Sequence, residues 1–329
     1  MTETKHISVL LNETIEGLNL KEGSTVVDAT LGGGGHSRAI LERIGATGRL
    51  IALDADAGAV GRFRQIMKND ARVTVLHRNF AFLEEALHEA GVKIGEVDAI
   101  VADLGFSSDQ IEAADRGFSF RLDGPLDMRL DPTEQRTARE VVNTFSQDQL
   151  TTLLREYGDE KRAKVLARAI VRARERTPIE TTHALTEVIE RATPERIRRA
   201  STIHPATKTF QALRIAVNRE FERLNMFLPQ AVRSMRMGGR LAIISFHSGE
   251  DRIVKRFFRE AAGGCICPKD FPLCVCGKSP LIRIRTAKPI VSSESELIRN
   301  PRARSAKLRV VEKIQKQTAY AVPSNIPQG

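Results

Sequence analysis

The stretch that decides the fold is Val26-Val27-Asp28-Ala29-Thr30-Leu31-Gly32-Gly33-Gly34-Gly35-His36-Ser37. An apolar run enters a turn of glycines, and about twenty residues later a second apolar run ends in the carboxylate of Asp54. This order predicts a nucleoside pocket, in which glycines let the backbone turn sharply and approach a ligand. Asp54 would accept hydrogen bonds from two ribose hydroxyls. Without flanking strands, the four glycines would indicate only a flexible hairpin.

The glycine turn departs from the dinucleotide fingerprint, which requires a third small residue where the following helix packs on the strand. Counting from Gly32 places Ser37 at that position, and counting from Gly33 places Arg38 there. The departure disfavours a pyrophosphate-binding dehydrogenase and favours a ligand without phosphates, such as S-adenosylmethionine. A nucleotide-dependent oxidoreductase on a similar sheet remains the alternative.

Strand-like and helical runs alternate along the chain, which predicts an α/β fold with a doubly wound parallel sheet. Helical patterns begin with Ser37 to Ile44 and Ala57 to Lys68. The predicted strands are Thr25 to Thr30, Leu50 to Asp54, Val73 to His77, Val97 to Asp103 and Arg240 to Ser245. Two later runs, Leu281 to Val291 and Lys307 to Val311, are candidates to complete the sheet.

Between Asp109 and Pro205 the strand signals vanish and helical periodicity dominates, which predicts an inserted helical domain. The predicted organisation is 1–108 and 206–317 for the sheet domain, 109–205 for the insertion and 318–329 for a disordered tail. One helix of the insertion has a basic stripe of Lys161, Lys164, Arg168 and Arg172. Its predicted apolar face is Val165, Leu166, Ala169, Ile170 and Ala173. A single long helix is predicted from Phe210 through Leu228.

The charge balance favours a polyanionic partner, because the 329-residue chain has a net charge of +10. Residues 155–219 hold 15 basic and 8 acidic side chains, which also suit a solvated helical surface. The segments Arg196 to Arg199 and Arg302 to Arg309 are predicted to follow the phosphates of such a partner. Aromatic residues make up 5% of the chain and Trp is absent, so broad stacking platforms are not expected.

The chain has no apolar stretch of the roughly 18 to 20 residues needed to span a membrane, and no hydrophobic leader follows Met1. A cytoplasmic protein with no membrane partner is expected. The sequence permits a homo-oligomer without determining the oligomeric state. All four cysteines, Cys265, Cys267, Cys274 and Cys276, lie in one short segment. They suit either a structural zinc site or reduced thiols in a surface loop, and no metal is assigned.

Four predicted site residues lie at or just past the ends of strands: Gly34, Asp54, Asp103 and Ser245. Ligands of open α/β sheets bind beyond the carboxyl ends of the strands, so these residues are predicted to converge on one crevice. Asp103 would bind an amino group of the cofactor or orient a substrate base. Its alternative role is to cap the following helix.

Several long motifs occur in the order found in one known family. They are Gly34-Gly35-His36-Ser37, Asp103-Leu104-Gly105-Phe106-Ser107-Ser108-Asp109-Gln110, Arg116-Gly117-Phe118-Ser119-Phe120, Gly124-Pro125-Leu126-Asp127-Met128-Arg129, His204-Pro205-Ala206-Thr207-Lys208-Thr209-Phe210-Gln211-Ala212, Ile244-Ser245-Phe246-His247-Ser248 and Asn300-Pro301-Arg302-Ala303-Arg304-Ser305. Together they closely resemble the bacterial ribosomal RNA small subunit methyltransferase H family, also called MraW.

The resemblance implies an S-adenosylmethionine-dependent methyltransferase that modifies the N4 amino group of a cytidine in 16S rRNA. It implies a class I methyltransferase sheet with an inserted all-helical domain. Position by position, it places Gly34, Gly35 and His36 at the methionine end of the cofactor and Asp54 on the ribose. It also places Phe80 by the adenine, although Phe80 alone would indicate ordinary core, with Asp103 and Gln110 closing the pocket.

Methylation of cytosine N4 needs an acceptor that localises a lone pair otherwise delocalised into the ring. Many amino methyltransferases use Asp/Asn-Pro-Pro-aromatic, whereas this chain has Asp103-Leu104-Gly105-Phe106. The acceptor candidates are Asp103, Asp127 and Ser245, and Phe106 or Phe118 would stack on an extruded base. His247 would remove a proton or be hydrogen-bonded within the fold. A non-catalytic ribosome-assembly factor with the same pocket remains a second alternative.

Overall fold

The computed structural model describes residues 8–105, 113–263 and 279–315. These residues form two compact units. The sheet unit holds residues 8–54, 58–105, 224–263 and 279–315, and the helical unit holds 55–57 and 113–223. Within the described ranges, no helix combines the length and the apolar character required to cross a membrane.

The sheet unit is built on a seven-stranded sheet in the order β3-β2-β1-β4-β5-β7-β6. Strands β1 to β5 run parallel, and β7 pairs antiparallel with both β5 and β6. The strands are β1 Thr25–Asp28, β2 Arg49–Asp54, β3 Val73–His77, β4 Val97–Asp103, β5 Met235–Ser245, β6 Ile282–Ile284 and β7 Lys307–Lys313. The predicted α/β class is confirmed. Of the predicted run Leu281 to Val291, Ile282–Ile284 forms the short edge strand β6, and Ile290 makes an isolated antiparallel bridge with Leu308 of β7.

The described helices longer than one turn cover both faces of the sheet and build the helical unit. They are α1 Leu11–Leu18, α2 Gly35–Ile44, α3 Ala57–Ile66, α4 Leu83–Glu89, α5 Ala138–Thr144, α6 Gln147–Gly158, α7 Ala163–Arg174, α8 Thr182–Ala192, α9 Glu195–Ala200, α10 Thr207–Val217, α11 Glu220–Ser234, α12 Ser248–Ala262 and α13 Glu294–Arg299.

Two separate cores show that the sheet is doubly wound. One core packs Leu87 of α4, Phe227 of α11 and Phe258 of α12 against the sheet. The other packs Leu18 of α1 and Ile40 of α2. Central strands are buried on both faces, which explains the continuous apolar runs 26–27 in β1, 50–53 in β2 and 99–102 in β4.

The helical unit has its own core, to which Leu154 of α6, Ile170 of α7 and Leu213 of α10 contribute. The elements from α5 to α10 follow β4 and precede β5, which confirms a helical insertion into the sheet. The domain boundaries at 109 and 205 stay a prediction. The predicted tail, 318–329, lies outside the described residues.

Two helix predictions are wrong. The single helix expected from Phe210 is divided, because α10 ends at Val217 and Arg219 has a φ of 50° before α11 begins. The Asn218 side chain stabilises this break by accepting from Leu130 N and donating to Met128 O, each at 2.8 Å. On α7, Val165 is 50% exposed and does not belong to the apolar face.

Candidate functional site

The glycine turn after β1 follows the predicted path. Gly32 and Gly34 have φ values of 49° and 73°, in the left-handed region that glycine tolerates. A Cβ at Gly34 would overlap the ring of Phe63, and a Cβ at Gly35 would overlap the Ser8 hydroxyl. The last two glycines are therefore needed for packing within the protein itself, a reason that the sequence pattern did not reveal.

Asp54, at the end of β2, holds this turn in place. Its Oδ2 accepts a hydrogen bond from the backbone N–H of Gly32 at 2.7 Å. The turn therefore has one fixed position relative to the strand end. The predicted contact of Asp54 with a ribose stays a prediction.

Asp103, at the end of β4, lies beside the same turn. Its backbone N–H donates to Thr30 Oγ1 at 2.6 Å, and its Oδ2 lies 3.9 Å from Nδ1 of the buried His36. Its side chain is 18% exposed. Among the described residues, the buried Oδ1 has no hydrogen-bond partner. Asp103 thus offers an acceptor oxygen that the described protein groups leave unsatisfied.

The environment of Asp103 favours its neutral form. Burial raises the pKa of Asp103 to about 7, opposed by the backbone of Gly105 and reinforced by the charges of Asp28 and Glu250. A cation or an N–H donor beside this carboxyl group would stabilise its charged form. The group is therefore suited to accept a hydrogen bond, and then a proton, near neutral pH.

Asp28 is a site residue that the sequence analysis did not assign, although it lies in the first stretch quoted. It is fully buried and accepts hydrogen bonds from Ser37 Oγ at 2.7 Å and Thr30 N at 3.2 Å. Burial raises the pKa of Asp28 to about 6, opposed by these hydrogen bonds and reinforced by the charge of Asp54. The signal was an acid closing an apolar strand directly before a glycine turn.

Ser245 is the last residue of β5 and His247 follows the strand, and both make contacts within the fold. The buried Ser245 hydroxyl is directed to the Lys307 carbonyl oxygen at 3.5 Å. His247 caps α12, since its Nδ1 accepts from Glu250 N at 3.3 Å and its Nε2 lies 3.1 Å from Glu250 Oε1. These contacts favour the interpretation of His247 as a residue bound within the fold.

Phe80 packs edge to face on Phe227, with ring centroids 5.2 Å apart, and is only partly buried. It therefore contributes to the core of the sheet unit and has a remaining surface. Its predicted contact with an adenine stays a prediction. Asp54, the ribose candidate, is the last residue of β2, and Phe80, the adenine candidate, follows the adjacent strand β3.

Asp127 belongs to the helical unit and is paired there. Its carboxylate binds the Arg129 guanidinium through two contacts of 2.8 Å and accepts from Arg129 N at 3.0 Å. Partial burial raises the pKa of Asp127, but the Arg129 interactions outweigh it, so the pKa lies below its usual value. This pairing makes Asp127 a poor proton acceptor at neutral pH.

Several predicted residues lie outside the described part of the chain. They are Phe106, Gln110, Cys265, Cys267, Cys274 and Cys276. Phe118 is described and packs against the helical core, with the Arg116 guanidinium 5.6 Å from its ring centroid.

The two basic segments predicted to follow RNA phosphates are partly neutralised. Arg309 is 8% exposed and donates to Asp251 Oδ1 at 2.7 Å. The prediction that Arg309 contacts RNA phosphates is therefore wrong. Arg198 and Arg199 both pair with Glu195.

Comparison with known proteins covers nearly the whole chain. Residues 3–314 match the model of the MraW methylase family. A ribosomal RNA small subunit methyltransferase H of Clostridium botulinum (strain Kyoto / Type A2) is 48% identical over 95% of this chain and 100% of its own length. A protein of the same name from Geobacter sp. (strain M21) is 49% identical over the same shares of both chains.

Proposed function

The chain belongs to the MraW methylase family, and we propose that it transfers a methyl group from S-adenosylmethionine to N4 of a cytidine in the 16S rRNA of the small ribosomal subunit. The observation that carries this proposal is the family match, which spans the sheet and the helical insertion alike. Relatives named for the small-subunit rRNA, at nearly half identity over their full length, support the substrate class.

The residues present fit the cofactor. S-adenosylmethionine supplies an electrophilic methyl group on a positively charged sulfur. We assign Gly34, Gly35 and His36 to its methionine end, Asp54 to the ribose and Phe80 to the adenine. When ionised, the Asp103 carboxylate suits a cationic ligand, and its buried Oδ1, which has no partner among the described residues, is left for the amino group of the substrate.

Among the three acceptor candidates, we assign Asp103 to the substrate amino group. Asp127 is committed to Arg129, and the Ser245 hydroxyl is directed to the backbone of β7. As a carboxylate, Asp103 would accept a hydrogen bond from N4 and so favour localisation of its lone pair. When the N–C bond forms and the bond from sulfur to the methyl group breaks, N4 carries one proton in excess, and Asp103 would take it.

Methyl transfer to isolated small subunits tests the proposal. Subunits from cells that lack the gene are incubated with radiolabelled S-adenosylmethionine, and the digested nucleosides are identified by mass spectrometry. The expected product is N4-methylcytidine in 16S rRNA. Absence of transfer by the wild-type enzyme would reject the enzyme and favour a ribosome-assembly factor.

Two comparisons sharpen the test. Asp103→Asn is expected to lower the transfer rate by about 10²-fold or more, whereas Asp148→Asn, on an exposed position of α6, leaves it unchanged. In thermal denaturation, S-adenosylhomocysteine raises the melting temperature and NAD does not. Stabilisation by NAD alone would support the oxidoreductase alternative.

A further inference from the structure

The outer face of α7 carries a row of cations that form no ion pair with any described residue. Lys161 precedes the helix, and Lys164, Arg168 and Arg172 follow at spacings of three and four residues. The opposite face is buried through Leu166, Ala167 and Ile170. All four cations, named here the α7 stripe, are exposed, and within the described residues none of them forms an ion pair.

The α7 stripe is electrostatically unfavourable for the helix itself. The segment Ala163–Arg174 contains no acidic residue. Lys164 lies in the first turn, where the positive end of the helix dipole disfavours a cation, whereas Arg172 lies in the last turn, where the dipole favours one. Lys164, Arg168 and Arg172 repeat like charges at i and i+4, which destabilises a helix. Stability of the helical unit therefore does not explain these residues.

Several other cations of the helical unit are used within the fold. The pairs are Arg139 with Glu180, Arg191 with Glu187, Arg219 with Glu222 and Arg223 with Glu134. Arg174, on the inner side of α7, donates to the carbonyl oxygens of Val142 and Phe145 at 2.6 Å. The α7 stripe differs from these cations, because its charges remain available to an external anion.

We propose that the α7 stripe binds the phosphodiester backbone of the RNA substrate. The four cations span about 16 Å along the helix, so they suit a run of successive phosphates. A polyanion would remove both the repulsion within the stripe and the conflict with the helix dipole. Val165, 50% exposed among the cations, adds an apolar contact surface for a ribose. This inference rests on the proposed function for its choice of RNA.

The test compares two variants with the same change in net charge, both in the helical unit. One is Lys161→Gln/Lys164→Gln/Arg168→Gln/Arg172→Gln. The control is Arg139→Gln/Arg191→Gln/Arg219→Gln/Arg223→Gln, which removes four paired cations outside the segments predicted to follow RNA. Each is titrated with a fluorescein-labelled transcript of 16S rRNA at several KCl concentrations. The stripe variant is expected to lose about 3 units of the slope of log K against log [KCl], at ~0.7 per phosphate contact.

The control is expected to lose less than one unit of that slope. The melting temperature of the stripe variant should equal or exceed that of the wild type, because repulsion is removed. Equal slopes for the two variants, or a wild-type slope for the stripe variant, would overturn the proposal. If the fourfold variant unfolds, Arg168→Gln and Arg168→Lys replace it, and only the former should reduce the slope.

The measurements distinguish an error in the RNA-binding role of the α7 stripe from an error in the proposed function. The affinity for S-adenosylhomocysteine, measured by calorimetry, is expected to be the same for all variants. If the stripe variant has the lower slope of log K against log [KCl] but the wild type transfers no methyl group, only the proposed function is rejected. If the wild type transfers methyl groups and the stripe variant has the same activity and the same slope, only the RNA-binding role of the α7 stripe is rejected.

Discussion

The backbone N–H of Asp103 donates a hydrogen bond to Thr30 Oγ1 at 2.6 Å, which joins the end of β4 to the turn after β1. Thr30 is itself held through its N–H by Asp28, and Asp28 accepts from Ser37 in the first turn of α2. The buried carboxylate of Asp28 therefore positions Asp103 through Thr30. The pKa values of Asp28 and Asp103 are both raised by burial, so site geometry and ionisation are linked.

Replacing Thr30 with Val should remove the hydrogen bond between Asp103 N and Thr30 Oγ1. The Asp103 N–H would lose its acceptor, which costs roughly 1–3 kcal/mol when the donor is left buried without a partner. We expect a lower free energy of unfolding in urea and a lower methyl-transfer rate. Thr30→Ser keeps the hydroxyl and should retain both properties. Wild-type stability of Thr30→Val would show that the bond is not needed.

The sequence was sufficient for the parts of the fold that depend on local periodicity. Predicted strands Val73–His77 and Val97–Asp103 match β3 and β4 residue for residue. Because parallel strands end at one edge of a sheet, the position of Asp54 and Asp103 also followed from sequence. The partners of Asp103 did not, since Thr30 Oγ1 lies 73 residues away along the chain.

Two wrong predictions show which information the periodicity of apolar and basic residues does not contain. Apolar residues continue at helical spacing across Asn218 and Arg219, yet the helix breaks there because Asn218 bonds to backbone groups 88 to 90 residues distant. Arg309 belongs to a basic segment, yet β7 places it beside Asp251 on α12. In both cases a tertiary partner, invisible to a local pattern, determines the role of the side chain.

Stability should fall as pH rises through the range in which Asp28 and Asp103 ionise. In the unfolded chain both carboxyls lose their protons near their ordinary pKa of 3.8, whereas in the fold they do so at about 6 and about 7. The folded state binds more protons between about pH 4 and 7, so the free energy of unfolding decreases with pH over that window.

Asp28→Asn tests this linkage, because its amide oxygen can accept from Thr30 N while its amide nitrogen donates to the Ser37 hydroxyl. Relative to the wild type, the variant should gain stability at about pH 8 and gain none at about pH 5. Urea denaturation across this range measures the difference. A stability difference independent of pH would contradict the raised pKa of Asp28.

Methyl transfer should depend on the ionisation of Asp103. If its carboxylate accepts the N4 proton, kcat/KM rises with pH and levels off above about 7. The midpoint of kcat should lie lower, because a bound sulfonium cation stabilises the carboxylate. Initial rates between about pH 5.5 and 8.5 measure both profiles, and Asp148→Asn should reproduce them. A flat wild-type profile would remove Asp103 from the proton transfer.

Gly34→Ala should be more damaging than the same change at Gly91. Both glycines have positive φ values, 73° and 67°, so each substitution carries a left-handed strain of about 1–2 kcal/mol. A Cβ at Gly91 meets nothing within 4 Å, whereas at Gly34 it would overlap the Phe63 ring and displace the turn that Asp54 holds. Gly34→Ala should therefore lose more stability in urea than Gly91→Ala and, by calorimetry, also lose affinity for S-adenosylhomocysteine. If the two variants lost equal stability and kept equal affinity, the turn would tolerate displacement and its packing on Phe63 would not control the cofactor site.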